Sequence, residues 1–471
     1  MKMEIPEQVN YILEELEKAG YEAYAVGGCV RDSLLGKEPK DWDITTSAKP
    51  LEVKELFRRT IDTGIQHGTV TVMLGSQGFE VTTYRMDGEY EDHRHPKEVI
   101  FTPDLREDLK RRDFTINAMA YNPRTGIVDC FEGQEDLEKK VIRCVGNPVD
   151  RFDEDALRML RGIRFAGQLG FEVEEKTLEA MKIKAPTLVN VSAERIRTEL
   201  SRLLISARPD RLMLAVETGL IQYFLPEFEK MLETKQNNPH HIYDVGRHSM
   251  EAVIWISKLF DQRREEFADC PWPEEKIRTA LAYAALLHDV GKPACQTVDA
   301  EGIHHFHRHP LVGKDMATDI LKRLKFDNDT ISMVSRIIAE HDCRHENCYI
   351  DGEYSPKGKK AMRRLIHRIG PEAMPFLFLL QEADLMAQSD YCRQEKLAKL
   401  MAGKRACREV LEAKEPVNIG DLALGGKDLI ALGVKPGPEM GKILQKLLDR
   451  VLEDPELNRY EILKEIVDKM R

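Results

Sequence analysis

The spacing of apolar residues changes about a third of the way along this 471-residue chain. Early on, short apolar and β-branched runs alternate with helical segments. Tyr24-Ala25-Val26, the run GTVTVML ending at Leu74, and EVTTYR starting at Glu80 read as strands. The opening MKMEIPEQVNYILEELEKAG instead carries its apolar residues on one helical face. Further along, SAERIRTELSRLLIS and PDRLMLAVETGLIQYFL keep the helical period and strand signals thin out. Ser192 is placed to cap the first of these helices, and Pro209 with Asp210 to open the second. The pattern predicts a multidomain α+β chain, a mixed sheet with helices followed by all-α segments. Linkers are expected around 227–239, at 355–359 and at Glu415-Pro416, and no internal repeat is visible.

Composition narrows the class. Hydrophobic residues make up 42% and aromatics 7%, and no apolar run is long enough to cross a bilayer. The first segment lacks an uninterrupted apolar core and a cleavage site, so the expected location is cytoplasmic. Nine cysteines, an odd number without a CxxC pair, fit a reducing compartment. Cys343 and Cys348 flank His345, which reads either as a zinc cluster of unusual spacing or as ordinary small residues. The net charge of −11 (70 Lys+Arg against 81 Asp+Glu) runs against nucleic-acid binding overall, yet basic residues collect locally. Arg158, Arg161 and Arg164 recur every third position, and Lys357, Lys359, Lys360, Arg363, Arg364 and Arg368 form a second cluster. Each is either a phosphate-binding stripe or a solvated face.

The densest chemistry lies in YAVGGCVRDSLLGKEPKDWDIT. Gly27 and Gly28 follow an apolar strand and let backbone N–H groups approach an anion, with Arg31 nearby. Asp41 and Asp43 stand one residue apart, so on a strand they face one side and can share hard divalent cations. A plain turn and a solvated loop would leave the same letters. Taken together, phosphate grip and paired carboxylates imply metal-assisted phosphoryl or nucleotidyl transfer. Glu80 reads as a third carboxylate or as an exposed strand end.

GGCVRD followed by DWDITTSAKP resembles the nucleotidyltransferase head of the DNA polymerase beta superfamily, and more narrowly the bacterial class II branch of tRNA nucleotidyltransferases and poly(A) polymerases. RRDFTINA, from Arg111 to Ala118, is similar to that family's second signature. The resemblance implies arginines Arg111 and Arg112 on triphosphate oxygens, with Asp113 and Asn117 on ribose hydroxyls; capping a helix is the bland alternative. MDGEYEDHRHPKEVIF resembles the family's flexible loop beside the incoming nucleotide. The third signature opens EDALRMLRGIRF, in which Asp155 and Arg158 stand three apart on an expected helix and share a face. Asp155 could accept from the exocyclic amino group of cytosine or adenine while Arg158 donates to the ring nitrogen, a pattern that uracil and guanine invert. An intrahelical ion pair is the other reading. The tail segment GVKPGPEMGKIL resembles the C-terminal part of many bacterial CCA-adding enzymes.

A second set follows in the order His248, His288-Asp289, His309, His341 and Asp384. It resembles the HD superfamily of metal-dependent phosphohydrolases. Imidazoles with carboxylates suit divalent Mn, Fe, Ni or Co, and six ligands suffice for two ions bridged by Asp289. Lys292 is placed to hold a substrate phosphate, and His304, His305 or His307 could replace His309 if the register differs. A helical spacer that has lost its function is the alternative.

The combined expectation is a polymerase-beta-like nucleotidyltransferase head (1–140), a helical neck and body (141–232), an HD domain (233–400) and a helical tail (401–471). Such a chain adds and repairs the CCA end of tRNA from CTP and ATP without a template, by nucleotidyl transfer on two Mg2+ ions in the head. Its HD domain takes a transition metal and removes 2′,3′-cyclic or terminal phosphates. Asp41, Asp43 and Glu80 are the expected catalytic acids; Gly27, Gly28, Arg31, Arg111, Arg112, Asp113, Asn117, Asp155, Arg158, Arg161 and Arg164 are expected on the nucleotide. The alternatives are a poly(A) polymerase or A-adding enzyme, or an HD phosphohydrolase whose head only grips RNA. Oligomeric state is not written in these patterns.

Overall fold

The computed structural model describes residues 3–87, 99–343, 349–350 and 353–470. The chain forms two compact units, Met1–Pro226 and Glu227–Arg471.

The first unit is built on a seven-stranded sheet of order β3-β4-β5-β2-β1-β8-β9. Its strands are β1 (Ala23–Val26), β2 (Asp43–Thr46), β3 (Thr60–Gly64), β4 (Thr69–Leu74), β5 (Gln77–Thr83), β8 (Met119–Asn122) and β9 (Gly126–Asp129). The short β6 (Arg85–Asp87) and β7 (Val99–Phe101) pair with each other. β1 runs antiparallel to both β2 and β8, and β2 runs parallel to β5. The amphipathic helix Glu7–Lys18 lays Val9, Ile12, Leu13 and Leu16 onto Ala23, Ile44, Val70, Val72 and Val81. Full burial of such side chains contributes about 1.5–3 kcal/mol each. Because Ile44 and Val81 face this core, strand alternation sends their predecessors Asp43 and Glu80 to the other face.

Helices follow: Pro148–Glu154, Leu157–Leu169, Glu175–Lys184 and Ala193–Leu204, the last with Ser192 at its N-cap. A Cβ on Gly162 would stand 3.0 Å from the Phe114 ring and 2.8 Å from Met181, so glycine lets the helix Leu157–Leu169 close onto the RRDFTINA segment. Pro209 opens a short 3-10 turn, Pro209–Leu212, ahead of the helix Met213–Glu217.

Among its described residues the second unit is helical apart from two small antiparallel strand pairs that the sequence pattern does not announce, Thr297–Val298 with His304–His305 and Tyr349–Ile350 with Glu353–Tyr354. Val245–Gln262, Glu274–Leu287, His309–Arg323, Asn328–Glu340 and Met374–Ala387 carry the metal-ligating candidates or lead directly into them. The last of these helices is sunk in the core, with Phe376, Leu377, Leu379 and Leu380 buried. Residues 422–467 gather a core of their own around Leu424, Leu429, Leu447, Leu448 and Val467. Two expected linkers are structured. The stretch 227–239 begins inside the helix Pro226–Glu233, held by buried Phe228 and Met231, and Ser355 caps the helix Pro356–Ile369 by accepting from the Gly358 N–H at 3.2 Å. Polar composition hid both, because only one face of each helix is apolar. Among the described residues no helix is long and apolar enough to cross a membrane.

Candidate active site and metal centre

Asp43 opens β2, and the parallel register that pairs Ile44 with Val81 sets Glu80 beside it on β5. Asp41 lies two residues ahead, just outside the strand. Desolvation pushes the Asp43 carboxyl above its ordinary value; Arg112 opposes this, while Glu80 and Asp41 add to it by like charge. The three acids line one cavity of about 1320 Å³ together with Lys37, Lys40 and Trp42. Three clustered carboxylates, Asp43 among them raised by burial and by the like charge of the other two, are a donor set that fits a hard divalent cation.

On the β1 side of these acids, Gly27 has φ 82°, and a Cβ there would stand 3.1 Å from Arg112 Nη1. Glycine therefore serves both the left-handed backbone and the close approach of the guanidinium. Gly28 begins the helix Gly28–Leu34, from which Arg31 Nη1 donates to Asn117 Oδ1 at 2.6 Å. Asn117 Nδ2 donates to Asp113 Oδ1 at 3.2 Å, and Arg161 reaches Asp113 Oδ2 through Nε at 2.8 Å. Burial opposes ionisation of Asp113, but Arg161 and Asn117 outweigh it and hold the carboxyl at about 2. Sequence reasoning missed Asp108, a fully buried acid whose oxygens lie 2.8 Å from Arg111 Nη2 and 3.5 Å from Arg112 Nη2. Its signal was the spacing, an acid three and four residues ahead of an arginine pair.

Asp155 and Arg158 do not sit on one helix as expected. Asp155 has extended backbone, φ −148° and ψ 104°, in the break between Pro148–Glu154 and Leu157–Leu169. A short carboxylate satisfies an otherwise orphaned N–H at a helix start better than it serves a helix interior, and Asp155 Oδ1 accepts from Leu157 N–H at 3.1 Å. Arg195, also missed, forks onto this carboxylate with Nη1 to Oδ1 at 3.3 Å and Nη2 to Oδ2 at 2.7 Å. Arg158 instead pairs with Glu154 and donates to the carbonyl oxygens of Arg151 at 3.2 Å and Arg111 at 3.1 Å. Arg164 is buried against Glu199 and stacks 3.9 Å from the Phe165 ring centroid, with Arg31 and Arg161 at 5.2 and 5.5 Å. Most of the expected flexible loop, residues 88–98, lies outside the described residues.

In the second unit His248, His288, Asp289, His309, His341 and Asp384 converge. His248 Nε2 lies 3.3 Å from His288 Nε2 and 2.9 Å from Asp384 Oδ1. His309 Nε2 lies 3.3 Å from His341 Nε2 and 3.2 Å from Asp289 Oδ1, and the other oxygen of Asp289 is 3.1 Å from His288 Nε2. Asp289 thus faces both histidine pairs. The Nδ1 atoms of His288, His309 and His341 sit 2.8, 2.8 and 2.7 Å from the backbone carbonyls of Ala285, Phe306 and Ile338. A carbonyl only accepts, so each Nδ1 carries the proton and each Nε2 presents a lone pair inward. Two facing lone pairs 3.3 Å apart need a cation between them, and ligands sharing an ion with bonds of about 2.0–2.1 Å stand roughly 3 Å apart. The residues fit a divalent metal. Although burial disfavours its charge, Asp289 is held well below the usual carboxylate range by His288 and Lys292, and His248 does the same for Asp384.

Lys292 Nζ lies 2.7 Å from Asp289 Oδ2 and 2.7 Å from Gln236 Oε1. His304 and His305 are tied to Lys235 O and Asp299 in a hairpin, whereas His309 lies against His341 and Asp289. Of the Cys343–Cys348 cluster, His345 and Cys348 lie outside the described residues, and burial pushes the Cys343 thiol up to about 12. The expected basic surface at 357–368 is neutralised in large part: Lys359 pairs with Glu409, Lys360 and Arg364 with Glu453, Arg363 with Glu415, and Arg368 with Glu340.

Three families match the chain, described as "Poly A polymerase head domain" over residues 23–143, "Probable RNA and SrmB- binding site of polymerase A" over 170–232, and "HD domain" over 245–370. A CCA-adding enzyme of Limosilactobacillus reuteri is 34% identical over 466 residues, covering 98% of this chain and 96% of that protein. The chain belongs to the CCA-adding enzyme family. A second family member, from Enterococcus faecalis, is 35% identical over 463 residues, 98% of this chain and 95% of its own length. Among solved members, the Bacillus stearothermophilus CCA-adding enzyme in complex with CTP superposes with a TM-score of 0.71 at 28% identity, covering 100% of this chain and 98% of that one. A Thermotoga maritima CCA-adding enzyme complexed with tRNA shares the fold, with a TM-score of 0.59 at 20% identity over 98% and 95% of the two chains. The nucleotidyltransferase and HD domains of this family member both imply dependence on divalent metal.

Proposed function

We propose that the chain adds and repairs the 3′-terminal CCA of tRNA from CTP and ATP without a nucleic-acid template. What carries this reading is its kinship with CCA-adding enzymes over 98% of its length. Asp41 and Asp43 would hold two Mg2+ ions in the head with Glu80 as a third acid beside them, and the ions would supply positive charge to the attacking 3′-hydroxyl oxygen and the leaving pyrophosphate. Gly27, Gly28, Arg31 and Arg112 face the triphosphate, and Asn117 and Asp113 face the ribose. Asp155 and Arg158 read the base edge, accepting and donating as C and A require and leaving U and G unpaired. Head, neck with body, HD domain and tail divide near residues 140, 232 and 400. The tail meets tRNA, and the protein works in the cytoplasm. To test the reading, purified protein is given tRNA lacking CCA with each nucleotide separately and together. Three additions from CTP plus ATP support it; open-ended tails or a single A replace it with the poly(A) or A-adding alternative.

A second reading is favoured by the convergence of six ligands on Asp289. We infer that the HD centre binds a transition metal such as Mn, Ni, Fe or Co and hydrolyses 2′,3′-cyclic or terminal phosphates on RNA ends. Such hydrolysis would expose the 3′-hydroxyl that the head requires. Release of phosphate from RNA ending in a 2′,3′-cyclic phosphate, assayed with each metal, tests it.

A further inference from the structure

One imidazole at the HD centre belongs to neither ligand pair. His241 lies in the segment between the helices Pro226–Glu233 and Val245–Gln262, and its ring meets that of His248 edge-on with centroids 4.9 Å apart. Its Nδ1 is buried and has no hydrogen-bond partner among the described residues. A buried ring nitrogen without a partner costs about 1–3 kcal/mol, a cost that an oxygen of a bound ligand would remove.

The segment that carries His241 is fastened on both sides. Toward the hairpin, Asn237 Nδ2 donates to Gly302 O at 2.7 Å and His304 N–H to Asn237 O at 3.3 Å. Toward the end of the helix bearing Asp384, Ser389 donates through N–H to His240 O at 2.9 Å and through Oγ to Pro239 O at 2.6 Å. The same segment supplies Gln236, whose Oε1 accepts from the buried Lys292 at 2.7 Å. Two side chains from one clamped segment thus reach the centre: Gln236, which holds the lysine ammonium, and His241, which brings an unspent ring nitrogen. Buried cation and unpartnered imidazole beside metal ligands form an environment suited to a phosphoryl group, whose non-bridging oxygens accept several hydrogen bonds at once.

We propose that His241 is a substrate-binding residue of the HD centre, its ring N–H donating to a phosphoryl oxygen of the bound phosphate ester. The proposal rests on the HD centre being a phosphohydrolase. His241→Leu and His241→Asn would be compared with the wild-type full-length protein, because the Asn amide nitrogen overlays the Nδ1 position and restores a donor there. Metal content, inorganic phosphate affinity of the metal-loaded protein, and the KM and kcat for a phosphodiester are measured. His241→Leu should keep the wild-type metal content, bind phosphate about tenfold more weakly and raise KM by a similar factor, with His241→Asn recovering most of both. Unchanged phosphate binding in a folded His241→Leu protein overturns the proposal, as does loss of metal from it, which would make His241 a ligand. A wild-type protein that hydrolyses no phosphoester with Mn, Ni, Co or Mg overturns the phosphohydrolase reading itself, whereas an active wild type with an indifferent His241→Leu overturns only the role of His241.

Discussion

The head and the HD centre both gather acidic residues around a metal position, but by opposite means. In the head, Asp41 and Asp43 are solvent-exposed residues on the cavity, and the Asp43 carboxyl carries the like charge of Glu80 and Asp41 against the opposing Arg112. In the HD centre, His288, Asp289 and His248 are buried, and three imidazoles are locked by backbone carbonyls before any ion arrives. The first arrangement suits a labile hard cation that travels with a nucleotide; the second suits a resident ion held by preset ligands. Under the proposed function, one chain carries two metal chemistries with different demands on the fold.

Several measurements would break or sharpen that contrast. The largest effect is expected at the open site: Asp43→Asn should lower addition of both C and A by at least about a thousandfold while tRNA binding, read by gel shift, persists. Near-normal turnover would remove Asp43 from the chemistry. At the closed site, His288→Ala with Asp289→Ala should strip metal that survives gel filtration of the wild type, and abolish phosphohydrolysis while CCA addition stays intact. If wild-type protein keeps no metal through that column, the contrast between labile and resident ions fails.

Base reading should respond more moderately. Arg158→Ala is expected to cut discrimination of CTP over UTP by about ten- to a hundredfold, judged by the ratio of kcat/KM values. An equal loss of rate on every nucleotide would leave Arg158 a structural role, consistent with its bonds to Arg111 O and Arg151 O. Arg195→Ala, which frees the Asp155 carboxylate to rotate, should weaken the same discrimination less than Arg158→Ala does.

The smallest effect concerns pH. Asp113 has a folded value of about 2, below the ordinary 3.8 of an aspartate, so its contribution to stability is fully present above pH ~4 and is lost as pH falls through about 2. Asp113→Asn should therefore lower stability by about 2 kcal/mol at neutral pH, a gap that closes toward pH 2 in acid unfolding followed by circular dichroism. A gap independent of pH would mean that packing around Phe114, and not the charge, is what the substitution disturbs.

The sequence by itself determined the change from mixed sheet to helices, the glycine turn at Gly27 and the Asp41–Asp43 pair, because these depend on neighbours within a few residues, and it offered the series His248, His288-Asp289, His309, His341 and Asp384 through its resemblance to the HD superfamily. Asp43 and Glu80 are already legible as acids on strands. Only the parallel pairing of β2 with β5 decided that they lie side by side, since register is set by the buried faces of both strands. The helix break at Asp155 escaped the periodic pattern, because an acid three residues before an arginine reads as a helical pair until the Leu157 N–H and Arg195 claim its oxygens. Arg195 was unreadable as a partner for a similar reason, one more charged residue in a charged chain until the fold aims it, whereas Asp108 is spaced to meet Arg111 and Arg112 but shows its weight only once the fold desolvates it. His241 belongs with them. Its neighbours in sequence gave no hint of a role, and only the clamped segment between hairpin and helix end brought its ring against His248, since long-range packing alone decides which polar groups end up buried together.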